Sequence, residues 1–250
     1  PPLNSLDEME ELLNSTTYEE YLLLHEADGV QEFTEANKPE PIIISAASAD
    51  TELSQGTVMV LKDSNGVLKG EDKDPDGISE GVNEYLLTED GSTAVYKINI
   101  EKSGFYNVRM SYFPFSNLYY DDDGNIIAAP NEVELDKDEG KYSEYNYIEG
   151  NTVAIERIIK IDGEVPFKEA RNIAFTRIWK DRAPTDKDGN VIEKDELGRA
   201  FRVDISGNEI RSKKYEDPVW CEQVLRDSNA FYNDSFLFYF DEGEQTFEVY

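Results

Sequence analysis

The chain has little of what most enzymes use. Its 250 residues hold one cysteine, Cys221, and one histidine, His25. An internal disulfide needs two thiols and is excluded. A Cys/His zinc centre would be short of ligands. Ser–His–Asp or Cys–His catalysis would have to run through His25, which falls in a helix-like segment near the N-terminus. Positive charge is scarce too: 24 Lys and Arg stand against 54 Asp and Glu, a net charge of −30. Such a surface repels nucleic acid and anionic membranes and leaves neutral ligands compatible. No apolar run reaches the ~18 residues of a spanning helix. No secretory leader is visible, and both ends read as interior to a longer protein. The phosphate-loop, dinucleotide, nucleophile-elbow and HExxH motifs are missing, which lowers the expectation of an enzyme.

What is present is aromatic and acidic. Fifteen Tyr and 12 Phe favour strands. From Ile42 onward, short alternating runs are separated by turn dipeptides such as Asn65-Gly66, Ser103-Gly104, Asp162-Gly163 and Glu242-Gly243. Strands are expected over 41–47, 56–62, 82–87, 93–101, 104–113, 152–161, 171–179, 200–204, 221–226, 235–240 and 245–250. In the run 94–113, Ala94, Tyr96, Ile98 and Ile100 share one face. Tyr106, Val108, Met110 and Tyr112 share the answering face of a hairpin about Gly104. No helix–strand alternation appears. The expected fold is mainly β: an antiparallel β-sandwich or jelly roll.

Residues 1–40 stand apart. Ser5 with Glu8, and Thr16 with Glu19, match the capping-box pattern. They predict a short helical hairpin that ends at Gly29, followed by a polar, proline-bearing linker. Two domains are therefore expected: 1–40, and 41–250 with an acidic, Tyr-rich insertion at 114–151. Two stretches, DDDGNII at 121–127 and DKDGNVI at 186–192, repeat a D-x-D-G-N pattern. Closely spaced Asp oxygens can ligate calcium, but the register is not that of an EF-hand, and Asp-Gly-Asn also builds turns. No other cofactor is expected.

The candidate site lies in IERIIKIDGEVPFKEARNIAFTRIWKDR, residues 155–182. Ile155, Arg157, Ile159 and Ile161 share one face, and Ile173, Phe175, Arg177 and Trp179 share another. Each apolar face carries an arginine. A charge so placed needs a partner or a wet rim. Trp179 is followed by Lys180 and Asp181. Trp220 opens the next strand group, and Tyr112 ends the 104–113 run. Aromatics at strand ends beside long loops suit stacking on a neutral sugar ring, with Arg and carboxylate groups meeting its hydroxyls. The candidate carbohydrate-binding residues are Tyr112, Arg177, Trp179, Asp181 and Trp220. Core packing is the competing role for both tryptophans.

AVYKINIEKSGFYNVRMSYFP (94–114) resembles the strand–SG–strand signature of galactose-binding-like carbohydrate-binding modules of the family 6 and 35 type. The ordered set IERIIKIDGEVPFKEARNIAFTRIWKD, GNEIRSKKYEDPVW and FYFDEGEQTFEV is similar to the extracellular accessory region of Firmicutes sugar ABC transporter solute-binding proteins. There a TYEEYL-like helix, here 17–22, precedes the β-domain. The resemblance implies a β-sandwich and an extracellular, lipid-anchored place on a Gram-positive cell. It also implies a non-catalytic role in glycan capture, with a neutral oligo- or polysaccharide and the rest of a larger surface protein as partners. The family's structural calcium draws carboxylates from the first strand. Here that strand holds Ser45 and Ala47, which puts the ion in doubt. The alternatives are a protein-interaction or spacer domain beside a solute-binding lobe, and a glycoside hydrolase fragment.

Overall fold

A computed structural model describes residues 15–30, 33–34, 37–115, 119–128, 154–181, 191–194, 200–210 and 214–250. The first helix expected at Ser5–Leu13, the second D-x-D-G-N stretch at 186–192 up to Asn190, and most of the 114–151 insertion lie outside them.

The described chain is mainly β and antiparallel. A 10-residue helix, α1 (Tyr18–Ala27), leads into it. The first half holds β1 (Val58–Lys62), β2 (Glu84–Thr88), β3 (Ala94–Ile100), β4 (Gly104–Asn107), β5 (Arg109–Tyr112), β6 (Tyr119–Tyr120) and β7 (Ile126–Ala128). There follow β8 (Ile155–Arg157), β9 (Ile159–Ile161), β10 (Ile173–Phe175), β11 (Trp179–Asp181), β12 (Arg202–Val203), β13 (Glu209–Ile210) and β14 (Lys214–Glu216). The last three are β15 (Cys221–Val224), β16 (Leu237–Phe240) and β17 (Gly243–Val249). The pairs are β1–β2, β4–β16, β5–β15, β6–β7, β8–β10, β11–β14 and β12–β13, and one three-stranded sheet runs β3–β17–β9. No described helix is long and apolar enough to cross a membrane.

The expected face of β3 is correct: Ala94, Tyr96, Ile98 and Ile100 are all buried in the main core. Its expected partner is not. β3 pairs with β17 over seven residues, and β4 pairs with β16. The run 94–113 is thus no hairpin, and Gly104 marks a crossing between sheets. An added Cβ there would lie 2.4 Å from the tip of the Phe33 ring, which would have to shift. The run 155–161 also divides: β8 joins β10, whereas β9 joins β17. The Asp162-Gly163 turn does form, with Ile161 and Glu164 exchanging both backbone bonds.

The strand expected at 41–47 does not form. Ile42, Ile43 and Ile44 are exposed, and a single 3₁₀ turn occupies Ala46–Ser48. The helix starts one residue later than the expected capping box. Thr17 caps it, with Glu20 answering back at 2.9 Å. The reason is tertiary. The Thr16 carbonyl accepts from Lys168 N–H, and Glu169 accepts from Tyr18 N–H at 2.9 Å, so docking sets the start. Gly29 stops the helix as expected, at φ +86°.

A second core gathers Leu61, Leu68, Tyr85, Leu87, Ile126 and Trp220. The β6–β7 hairpin, cut from the acidic insertion, is part of it: Ile126 is fully buried.

Candidate functional site

β10 ends at Phe175, and Thr176–Ile178 lead on to β11. This segment carries three of the five candidate residues. Arg177 lies on the apolar face and is largely buried. Its Nε donates to Glu216 Oε1 at 2.7 Å and its Nη2 to Oε2 at 3.2 Å, a two-pronged pair. The two side chains are only 15% and 8% exposed. A charge removed from water this far must be paired. Register explains the meeting: Glu216 lies opposite Trp179 where β14 pairs with β11. Arg177 is therefore engaged by a carboxylate, not left free for ligand hydroxyls. Sequence reasoning missed Glu216. The arginine on an apolar face announced a partner but gave no address for it.

Trp179 is half-buried. The Arg177 guanidinium lies 5.9 Å from its ring centroid, at the outer range of a cation–π contact. Asp181 is exposed and lies opposite Lys214, and Lys180 pairs with Asp217. Among the described residues, three cations (Arg177, Lys180, Lys214) thus stand with three anions (Asp181, Glu216, Asp217). This strip is balanced on a molecule that is otherwise strongly acidic.

Tyr112, at the end of β5, is joined to the same segment. Its hydroxyl donates to the Thr176 carbonyl at 3.3 Å and accepts from Thr176 N–H at 3.2 Å. Its ring meets Phe175 edge-on at 5.0 Å. Burial pushes its phenol up to about 12, with neighbouring Cys221 adding to the effect. Gln223 Nε2 donates to the Ala174 carbonyl at 3.0 Å, and Ala174 N–H donates to Ser228 Oγ at 2.7 Å. Ser228 Oγ in turn donates to the Asn172 carbonyl at 2.7 Å. Side chains thus take the place of a strand along the edge of β10 that faces away from β8. Tyr112 closes a sheet edge, a packing role that its position at a strand end did not reveal.

Trp220 is only 8% exposed. Its Nε1 donates to the Leu68 carbonyl at 2.8 Å, and its ring packs on Tyr85 and Phe113. The competing core role is the one the structure assigns. An enclosed indole offers no face to a sugar. Of the five candidates, Asp181 is exposed and Trp179 half-buried, Arg177 is paired with Glu216 beside Trp179, Tyr112 is bonded to Thr176, and Trp220 lies in the second core.

The D-x-D-G-N stretch at 121–127, for which the sequence leaves both a turn and a calcium site open, forms a turn. Asp121 Oδ1 accepts from the N–H groups of Asp123 and Asn125 at 3.0 and 2.8 Å, and Asn125 Nδ2 bonds both carboxylate oxygens. Asp204–Asn208 repeats it: Oδ1 accepts from Ser206 and Asn208 N–H, and Oδ2 from Asn208 Nδ2. The Asn side chains, then the backbone amides, hold both carboxyls below their ordinary range. The same D-x-x-G turn recurs at Asp63–Gly66 and Asp74–Gly77, where the carboxylate takes the two amides after the glycine. Each of the four glycines has positive φ, from +68° to +82°. Only a residue without Cβ adopts that freely. Among the described residues no group of three or more His, Cys, Asp or Glu is arranged to hold a metal.

His25 is a packing residue. It stacks on Tyr239 at 4.2 Å and meets Tyr21 and Phe105 edge-on, and burial lowers its pKa. Two shallow surface depressions, of about 390 and 690 Å³, lie against the 69–80 loop and against α1 with Lys168; neither is lined by Trp179. Comparison with protein-family models, with curated proteins and with solved structures found no match.

Proposed function

We propose that this chain is a non-catalytic carbohydrate-binding module with a jelly-roll, galactose-binding-like sandwich. In this reading it belongs to a secreted or surface-anchored bacterial protein serving glycan capture and sugar uptake. The observation that carries the reading is the Trp179 strip. A half-buried indole lies beside a buried Arg177–Glu216 pair, with the exposed Asp181 carboxylate on the same face of the strand. Its local charges balance, which suits a neutral ligand better than the acidic remainder of the surface does. Stacking on the indole, with sugar hydroxyls donating to the Asp181 carboxylate on the same face of the strand, would give a shallow, wet site. Affinity would fall at about millimolar to micromolar Kd, or roughly −4 to −8 kcal/mol.

Native affinity electrophoresis in gels holding neutral polysaccharides tests the reading. Wild-type protein is expected to be retarded in at least one gel, and Trp179→Ala to run unretarded while keeping its fold. A folded wild type that no glycan retards would count against it.

A second reading is a protein-interaction or spacer domain beside a transporter's solute-binding lobe. The internal engagement of Tyr112, Arg177 and Trp220 favours it. It predicts that Trp179→Ala lowers stability and changes no glycan affinity.

A further inference from the structure

The β11–β14 ladder sets two opposite charges across from each other and leaves them unjoined. Asp217 N–H donates to the Ile178 carbonyl at 3.0 Å, which makes 178 and 217 a hydrogen-bonded pair of the ladder. Alternation then makes Trp179–Glu216 and Asp181–Lys214 the close, non-hydrogen-bonded pairs. Side chains in directly opposite positions start only ~4.5–5.5 Å apart at Cβ. Yet Asp181 and Lys214 are both exposed, and among the described residues neither is held in an ion pair or hydrogen bond. The charges around them are engaged. Arg177 is fixed by Glu216 at 2.7 and 3.2 Å. Lys180, out of phase by one residue, belongs to the other face and pairs with Asp217.

The same period of two sets Arg177, Trp179 and Asp181 along one face. Arg177 precedes the indole on that face, and its guanidinium lies over the ring at 5.9 Å from the centroid. Asp181 follows the indole, with Lys214 beside it. The half-buried ring is thus backed by a pinned cation on one side and flanked by a carboxylate and an ammonium on the other. A carboxylate only accepts and an ammonium only donates, whereas a hydroxyl does both. Two adjacent hydroxyls of a pyranose, one donating to Asp181 and the next accepting from Lys214, would engage both groups while the C–H face of the sugar lies on the indole. An anionic sugar would be opposed by Asp181 and by the net charge of −30, and a cationic one by Lys214.

We infer that Lys214 is a ligand-binding residue of the Trp179 strip and that, with Asp181, it selects neutral glycans whose rings keep two adjacent hydroxyls free. The inference rests on the carbohydrate-binding reading and names the substrate class for it. Sequence spacing could not supply Lys214, because strand register alone brings it opposite Asp181.

The test uses the whole chain in native gels holding amylose, galactomannan or laminarin, in borate-free buffer because borate esterifies adjacent hydroxyls. Amylose and galactomannan keep an adjacent pair free along the chain; laminarin, linked through the middle hydroxyl, does not. Wild type should be retarded by amylose or galactomannan and not by laminarin. Periodate cleavage of the adjacent hydroxyls, followed by borohydride reduction, should abolish the retardation. Lys214→Met should melt as the wild type does, because an exposed ammonium adds little to stability. It should lose about tenfold or more in affinity, the worth of a hydrogen bond to a charged group, and Lys214→Arg should keep most of it. Undiminished retardation of Lys214→Met, or laminarin retarding wild type as strongly as the other two, overturns the selection by adjacent hydroxyls. If Trp179→Ala then runs unretarded, the carbohydrate reading stands without it. A wild type that none of the three glycans retards overturns both.

Discussion

At the scale of single residues, the chain puts polar groups to structural use. Glu216 and Arg177 illustrate the energetics. Together they satisfy one another beneath Trp179; separately each would be a buried, unpaired charge. Glu216→Ala should cost about 3–5 kcal/mol in denaturant unfolding, and a double replacement by apolar residues of similar size much less. A cost of under ~1 kcal/mol for the single variant would mean that water reaches the pair and screens it. The alternation that put Arg177 on an apolar face was legible in the sequence. Its partner, 39 residues away, was not, because strand register is set by pairings that no local pattern encodes. The D-x-x-G turns were legible in form, since Asp followed three residues later by Gly is a local signal. Their roles were less so. A carboxylate spacing that could hold a cation also suits backbone amides, and in the described turns the nearer amides take it.

Elements tell a related story. α1 is too short to be stable alone in water, and the main core holds it. Tyr18 and Tyr21 are buried there, and their hydroxyls accept from Leu237 N–H at 2.9 Å and Tyr239 N–H at 2.7 Å. Those amides lie on the edge of β16 that does not face β4. Removing one hydroxyl leaves a donor unsatisfied in a buried place, which costs about 1–3 kcal/mol. Tyr21→Phe should therefore accelerate hydrogen exchange at Tyr239 far more than at residues of β3, and Tyr18→Phe should do the same at Leu237. Equal acceleration everywhere would show that the loss is global and not confined to that edge. The buried face of β3 could be read from alternation alone. The false hairpin at 94–113 shows the limit: a short turn signal suggests a local partner, yet β3 finds β17 about 150 residues away. The exposed Ile42–Ile44 run shows a second limit. Apolar content and β-branched side chains describe a willing strand, but a strand forms only where an edge is offered.

For the whole molecule, acidity sets the response to solution conditions. With a net charge of −30, self-repulsion should be appreciable at neutral pH. Raising salt from 20 to 500 mM shortens the screening length to below ~10 Å, so Tm at pH 7 should rise. Acid acts in two opposed ways. Protonating surface carboxylates relieves repulsion. Protonating Asp121 and Asp204 removes the charge that holds their turns, and their folded pKa values lie below the free value of 3.8. The stability these two contribute is therefore present above pH ~3.8 and lost as pH falls below it through the folded values. The Asn125 and Asn208 side-chain amide signals should move with midpoints below 3.8. Midpoints at or above that value would mean that the turns do not depend on ionised aspartate.

The side-chain closures along β10 and β16 bear on how this molecule meets its own kind at high concentration. Bare strand edges are templates on which neighbouring chains add strands and aggregate. On β16 two amides are covered by phenol groups of a helix; on β10 serine takes the Ala174 amide and glutamine its carbonyl, and tyrosine takes the Thr176 amide just beyond the strand. A fold assembled from many small sheets has many such borders. The tyrosine, serine and glutamine side chains that cover these borders leave fewer backbone groups for a neighbouring molecule to pair with.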